Sequence, residues 1–111
     1  MPESSERGAL TEAVYYILLA VFKPLHGYGI MQFVSELSKG RVKLGAGTLY
    51  GAISTMLEKG FIKALNSKAD SRKKEYEITD LGKEIVNEEI KRLEGLIVDG
   101  KKIVEASKNE V

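Results

Sequence analysis

Apolar residues recur along this chain at two different periods, and the change of period marks out its elements. Leu10, Val14, Ile17, Leu18 and Val21 follow at helical spacing and predict a first helix over residues 10–22. Tyr15, Leu19 and Phe22 form a second stripe on another side of it. One stripe can face the domain's own core. The other needs a second cover, from a partner subunit or from neighbouring elements if the helix is central. Pro24 ends this helix, because the residue before a proline is pushed out of the helical region. His26-Gly27-Tyr28-Gly29 then turns the chain into a second helix over residues 28–38, with Ile30, Phe33, Val34 and Leu37 inward and Gly40 at its carboxyl-terminal cap.

A third helix is expected from Ala46 to Lys59, with Leu49, Ile53, Met56 and Leu57 buried. Its other faces carry Gly47, Thr48, Tyr50, Gly51, Ser54 and Thr55, small or hydroxylated apart from the tyrosine. Gly60 stops it. A strand at Phe61, Ile62 and Leu65 follows, then a basic loop from Asn66 to Lys73. The return strand alternates Glu75 and Glu77 with Tyr76 and Ile78, as a half-covered strand does. Thr79 suits an amino-terminal cap and Asp80 the first turn of a last helix, residues 81–108. Its apolar seam runs Val86, Ile90, Leu93, Ile97, Gly100 and Val104, in steps of four and three. At about 1.5 Å per residue that helix spans roughly 42 Å, more than the domain needs, so the seam predicts a homodimer.

The order helix, helix, helix, hairpin, long helix is mainly α with a small β-hairpin. It reads as a winged helix-turn-helix followed by a carboxyl-terminal dimerisation helix. We divide the chain into a flexible segment 1–9, a winged-helix unit 10–79 and a dimerisation helix 80–111.

The overall charge of +1 conceals a segregated field. From Leu37 to Lys74 nine cations face Glu58 and Asp70, a local balance of +7, and the remainder carries −6. A basic segment around an exposed helix start is the footprint of a polyanion partner, although clustered surface charge alone would look the same. Gly47 and Gly51 let a helix backbone approach a groove about 12 Å wide, and the first free N–H groups can meet a phosphate. The glycines around Ala46 lack the Gly-Lys-Ser/Thr ending of a nucleotide-binding loop.

With no cysteine and one histidine, the sequence offers no catalytic set and no metal site, and no cofactor is expected. A lone histidine beside a turn is structural far more often than catalytic. The longest apolar run, Ala13 to Phe22, is too short to cross a bilayer, and the amino terminus lacks a signal-peptide layout. A cytoplasmic protein is expected.

Four strings then stand out together: His26-Gly27-Tyr28-Gly29-Ile30, Gly47-Thr48-Leu49-Tyr50, Leu57-Glu58-Lys59-Gly60-Phe61-Ile62, and Tyr76-Glu77-Ile78-Thr79-Asp80-Leu81-Gly82. In this order they resemble the PadR family of transcriptional regulators, in its short form with a single carboxyl-terminal helix. The resemblance runs from Leu10 nearly to the end. It implies a dimer that represses by binding an inverted repeat in double-stranded DNA, relieved in some members by a small aromatic effector. It also implies that Tyr28 and Tyr50 contact the DNA backbone, that Thr48 and Ser54 approach base edges beside Gly47, and that Lys43, Lys68, Arg72, Lys73 and Lys74 meet phosphates. Dimer contacts would come from Tyr15 and Leu19 with Val86, Ile90, Leu93, Ile97 and Val104. Tyr15 and Phe22 are the aromatic candidates for an effector cavity, with plain dimer packing their simpler use.

Two departures from the family pattern bear on readout. Ala46 stands where proline is common, and Gly51 where a larger polar or basic residue often follows the tyrosine. Fewer side chains then reach the bases, so modest sequence discrimination is expected. A competing reading is a winged-helix module that holds another protein with the same surface; such a module would lack the steep salt dependence of duplex binding.

Overall fold

The computed structural model describes residues 8–65 and 74–109. Its elements are α1 (Glu12–Ala20), β1 (Leu25–His26), α2 (Gly27–Leu37), α3 (Ala46–Lys59), β2 (Ile62–Leu65), β3 (Glu75–Ile78) and α4 (Asp80–Lys108). The strands form an antiparallel sheet in the order β1-β3-β2. Ile62 pairs with Ile78 and Leu65 with Glu75, while Leu25 pairs with Tyr76 on the far side of β3. This is a winged helix with a long carboxyl-terminal helix.

Local chemistry sets each boundary. Thr11 Oγ1 accepts the Val14 N–H at 3.1 Å, so α1 starts later than its apolar pattern suggests. That helix ends at Ala20, where the Val21 N–H is shared between the Ile17 and Leu18 carbonyls. His26 caps α2: its Nδ1 accepts the Gly29 N–H at 3.1 Å. The lone histidine is therefore a helix cap, a structural role. At the other end α2 stops at Leu37, earlier than expected. Lys39 (φ 56°) and Gly40 (φ 78°) share a left-handed turn, and the Gly40 N–H reaches back to the Ser35 carbonyl at 2.7 Å. Gly60 (φ 79°) ends α3, with the Phe61 N–H bonded to the Met56 carbonyl at 2.9 Å.

The core draws on every helix and the sheet: Ile17 and Leu18 of α1, Ile30 and Val34 of α2, Leu49, Ile53 and Met56 of α3, Ile62, Tyr76 and Ile78, then Ile85 and Val86 of α4. Phe33, Leu37 and Leu57, expected inward, are exposed. Each sits on the flank of its helix, and neighbours cover only the arc centred on Ile30 and Val34 or on Ile53 and Met56. Buried Ser38 is satisfied: its Oγ accepts the Val42 N–H at 2.9 Å and donates to the Ser35 carbonyl.

Thr79 joins the sheet to α4. Its Oγ1 accepts the Gly82 N–H at 3.1 Å and donates to the Gly60 carbonyl at 2.6 Å, while its N–H donates to the Phe61 carbonyl at 3.0 Å. Further along α4, Glu89 is 5% exposed. Arg92 donates to it twice, at 3.0 and 2.6 Å, and the Leu10 N–H also reaches its carboxylate. Arg92 first, and then Leu10, hold that carboxyl below its ordinary range against the opposing effect of burial. Beyond this tie α4 leaves the domain, and Leu96, Ile97, Val98, Ile103 and Val104 are all more than half exposed.

Candidate nucleic-acid interface

The helix α3 lies with Leu49, Ile53 and Met56 buried, which fixes where its other residues point. At 100° per residue, Gly47, Gly51, Ser54 and Glu58 fall opposite that buried arc, and all four are exposed. A Cβ built on Gly45, Gly47 or Gly51 meets nothing within 4 Å. The leading face of α3 is thus bare backbone over its first two turns. Gly45 contributes no side-chain cap, so the first N–H groups of the helix lack one as well. That combination lets a duplex come close and presents partial positive charge to it.

Thr48 and Tyr50 flank this face on opposite sides. Thr48 is exposed on the side of α1, next to Thr55, whose Oγ1 donates to the Gly51 carbonyl at 3.3 Å. Tyr50 is 46% exposed and leans towards α2, where its hydroxyl lies over Gly27. A Cβ at Gly27 would run into that hydroxyl and sit 2.8 Å from Cζ, so only glycine leaves room for the ring. The Tyr50 hydroxyl end is therefore packed within the domain, and the half-exposed ring is what faces outward. Tyr76 is buried. Burial, and secondarily the neighbouring Tyr50, raise the Tyr76 hydroxyl above the ordinary tyrosine range.

Tyr28, in the first turn of α2, is 62% exposed, and its hydroxyl accepts from Gln32 Nε2 at 3.2 Å. Lys43, on the approach to α3, and Lys74, at the start of the returning strand, are both exposed. Lys68, Arg72 and Lys73 lie outside the described residues. Two cations of the basic segment are turned elsewhere. Arg41 pairs with Glu12 and donates to the Tyr16 hydroxyl at 3.2 Å, and both partners raise its pKa. Lys63 stands 3.9 Å from Glu77 across the β2–β3 pair. Sequence spacing counted these charges together; the fold divides them, because Arg41 follows a left-handed turn that aims it at α1.

The seam of α4 divides in the same way. Val86 is part of the chain's own core, Ile90 and Leu93 are half-buried, and Ile97 and Val104 are exposed. On α1, Tyr15 is half-buried and meets Tyr16 edge-on, with centroids 6.1 Å apart, while Leu19 is half-buried and Phe22 exposed. Sequence reasoning missed Glu58, which completes the outer face of α3 seven residues after Gly51, and Gly27, whose role appears only once Tyr50 is seen above it. Among the described residues there is no cluster of three or more metal-ligating side chains, and no helix is long and apolar enough to cross a membrane.

Comparison with solved structures finds the same architecture repeatedly. A PadR family transcription regulator from Clostridium difficile is 27% identical, over 86% of this chain and 97% of that one, with a TM-score of 0.63. RosR from H. salinarum is 23% identical, over 91% and 92%, at 0.66. A transcriptional regulator from Clostridium thermocellum is 20% identical, over 86% and 90%, at 0.67. At these lower identities the last two speak for the fold alone. A comparison with curated proteins finds no match. The family model of the PadR-like transcriptional regulators matches residues 17–88, and the chain belongs to that family.

Proposed function

We propose that this protein binds double-stranded DNA as a homodimer and represses transcription at an inverted repeat. The observation that carries the reading is the outer face of α3, where Gly47 and Gly51 leave open space and Ser54 stands beside them. A protein core gains nothing from such a face, whereas a major groove requires close backbone approach. Exposed Lys43 and Lys74 lie on the segments flanking α3 and β3, where phosphates of a seated duplex would run. In this reading Tyr28 and the ring of Tyr50 rest on the sugar-phosphate backbone, and Thr48 and Ser54 approach base edges. Lys68, Arg72 and Lys73 extend the phosphate contacts along the wing.

The dimer is proposed from α4. Its exposed apolar residues, Leu96, Ile97, Ile103 and Val104 among them, continue the half-buried Leu93, and a second copy is the natural cover for such a stripe. Tyr15 and Leu19 add a half-buried patch on α1. Val86, inside the chain's own core, is not part of that contact. Relief by a small effector would follow the family habit, with Tyr15 and Phe22 its first candidates.

Selection of bound duplexes from a random pool, followed by titration in salt, tests the proposal. Two half-sites about one helical turn apart are expected. If each wing meets three phosphates, log affinity falls with a slope near −5 against log salt. A protein that bound no duplex saturably in dilute buffer would refute this function and leave the interaction module in its place.

A further inference from the structure

Gly27 opens α2 and is buried, yet nothing in its own backbone asks for glycine. Its φ lies outside the left-handed range that Gly40 and Gly60 adopt. Alanine, the better helix former, would suit that backbone. What excludes a side chain is the end of Tyr50, reaching over from α3. A Cβ at Gly27 would run into the Tyr50 hydroxyl and lie 2.8 Å from Cζ and 3.3 Å from Cε1. The ring therefore lies across the first turn of α2.

The floor under that ring is fixed from two directions. His26, the preceding residue, pairs with Glu75 in the sheet. Its Nδ1 also accepts the Gly29 N–H at 3.1 Å, which ties down the same turn from the other side. Leu25 crowds it further, since a Cβ at Gly29 would lie 2.6 Å from Leu25 Cδ1. A side chain placed at Gly27 could not push this turn away. The ring would move instead, because Tyr50 is 46% exposed and its far end can swing.

The spacing of α3 says what a displaced ring would meet. Gly47 at i−3 and Ser54 at i+4 are the helix neighbours of Tyr50, and Gly51 follows it directly. These residues form the open face described above, where a Cβ at Gly47 or Gly51 meets nothing within 4 Å. That empty face lies within reach of a ring lifted from α2. An aromatic side chain standing there would hold the α3 backbone away from a duplex.

We infer that Gly27 is a positioning residue for DNA recognition: lacking a side chain, it lets the Tyr50 ring rest on α2 and so keeps the face of α3 clear. The inference rests on the function proposed above and names the residue that holds its site open. Gly27 itself needs no contact with DNA, because it acts through Tyr50. Phosphate contacts from Lys43 and Lys74 do not depend on the ring, so losing its seat should cost discrimination between duplexes more than it costs general affinity.

Two variants and their combination test this, each titrated with the duplex selected from the random pool and with an unrelated duplex of equal length. Gly27→Ala should weaken binding to the selected duplex about tenfold, the size of one lost base-edge contact, and to the unrelated duplex by less than about twofold. Its Tm should stay within about 5 °C of the parent, because an exposed ring swings cheaply and alanine favours the helix. Tyr50→Leu ends before the ring atoms that meet Gly27. Adding Gly27→Ala to Tyr50→Leu should then change either affinity by less than about twofold. Undiminished binding by Gly27→Ala, or a loss that recurs in the Tyr50→Leu background, would overturn the inference. Equal losses on both duplexes, or a larger fall in Tm, would show a purely structural role and overturn it as well. In the unaltered protein a nuclear Overhauser contact is expected between the Tyr50 ring protons and the Gly27 Hα; its absence would overturn the packing itself. An unaltered protein that bound no duplex would refute the function proposed above and the role of Gly27 with it, while the same contact would still decide the packing.

Discussion

Gly82→Ala is the sharpest test of how α4 is anchored. A Cβ at this position would run into the Phe61 carbonyl oxygen and lie 2.6 Å from Ile78 Cγ1 and 3.1 Å from the Phe61 carbonyl carbon. Ordinary contact begins near 3.4 Å, and here the obstacle is backbone, which cannot swing aside like a side chain. The oxygen would have to retreat, yet it accepts the Thr79 N–H at 3.0 Å. Thr79 in turn caps α4 through Gly82 and holds the Gly60 carbonyl. Losing the Thr79–Phe61 bond costs about 1 kcal/mol, loss of the cap about another 1, and overpacking against Ile78 about 1–3. Alanine's better helix propensity returns about 1 kcal/mol. The net expectation is a loss of about 2–4 kcal/mol, or a fall in Tm on the order of 10 to 25 °C for a domain of this size. Thermal unfolding followed by circular dichroism measures it. An unchanged or higher Tm would refute the close packing of α4 on the end of β2 and with it the rigid placement of that helix.

Gly51→Ala should do the opposite to stability and harm function: open space surrounds the new methyl, so the helix gains about 1 kcal/mol, while affinity for the selected duplex falls. Equal or better duplex binding by that variant would remove the argument from backbone approach. Ile97→Glu, at a residue 55% exposed, should leave the unfolding of a single domain little changed and shift sedimentation towards monomers at micromolar concentration. A dimer that persisted would move the contact elsewhere. Glu89 supplies a pH dependence. Its folded-state pKa is lowered by Arg92 and Leu10, so it contributes stability above the ordinary glutamate value near 4.3 and loses it as pH falls through the lower folded value. Glu89→Gln should cost about 1–3 kcal/mol at neutral pH and flatten the acid limb of the stability curve; parallel curves for the two proteins would show that the carboxylate does not carry it.

Much of the fold could be read from the sequence because its signals are local. The span of α3 follows from a glycine on either side and a clean apolar stripe, and Thr79 and Asp80 announce α4 by capping chemistry alone. What stayed hidden depends on tertiary contact. The two-residue strand β1 has no period of its own and exists only because β3 offers it an edge at Tyr76 and Glu75. Phe33, Leu37 and Leu57 are apolar at helical spacing, yet which arc of a helix finds a neighbour is not written in spacing. The basic segment misled for the same reason. Summed charge says nothing of direction, and Arg41 is aimed at Glu12 by a left-handed turn at Lys39 that no propensity would place there.

The two halves of α4 differ in what their apolar residues meet. In its first half Ile85 and Val86 serve the chain's own core with Ile90 packed against it, and the Glu89–Arg92 pair ties the helix to the segment before α1 through the Leu10 N–H. From Leu96 onward the apolar residues face outward, and Gly95 and Gly100 weaken the helix by about 1 kcal/mol each relative to alanine. A helix weakened there would fray as a single chain and gain order when a second copy covers it. In the proposed dimer, association and the ordering of residues beyond Leu93 would then be one event. Amide exchange from residue 96 onward should therefore slow with protein concentration, while exchange at Ile85 and Val86 stays constant; concentration-independent exchange along the whole helix would separate the two and argue for a helix rigid in the monomer.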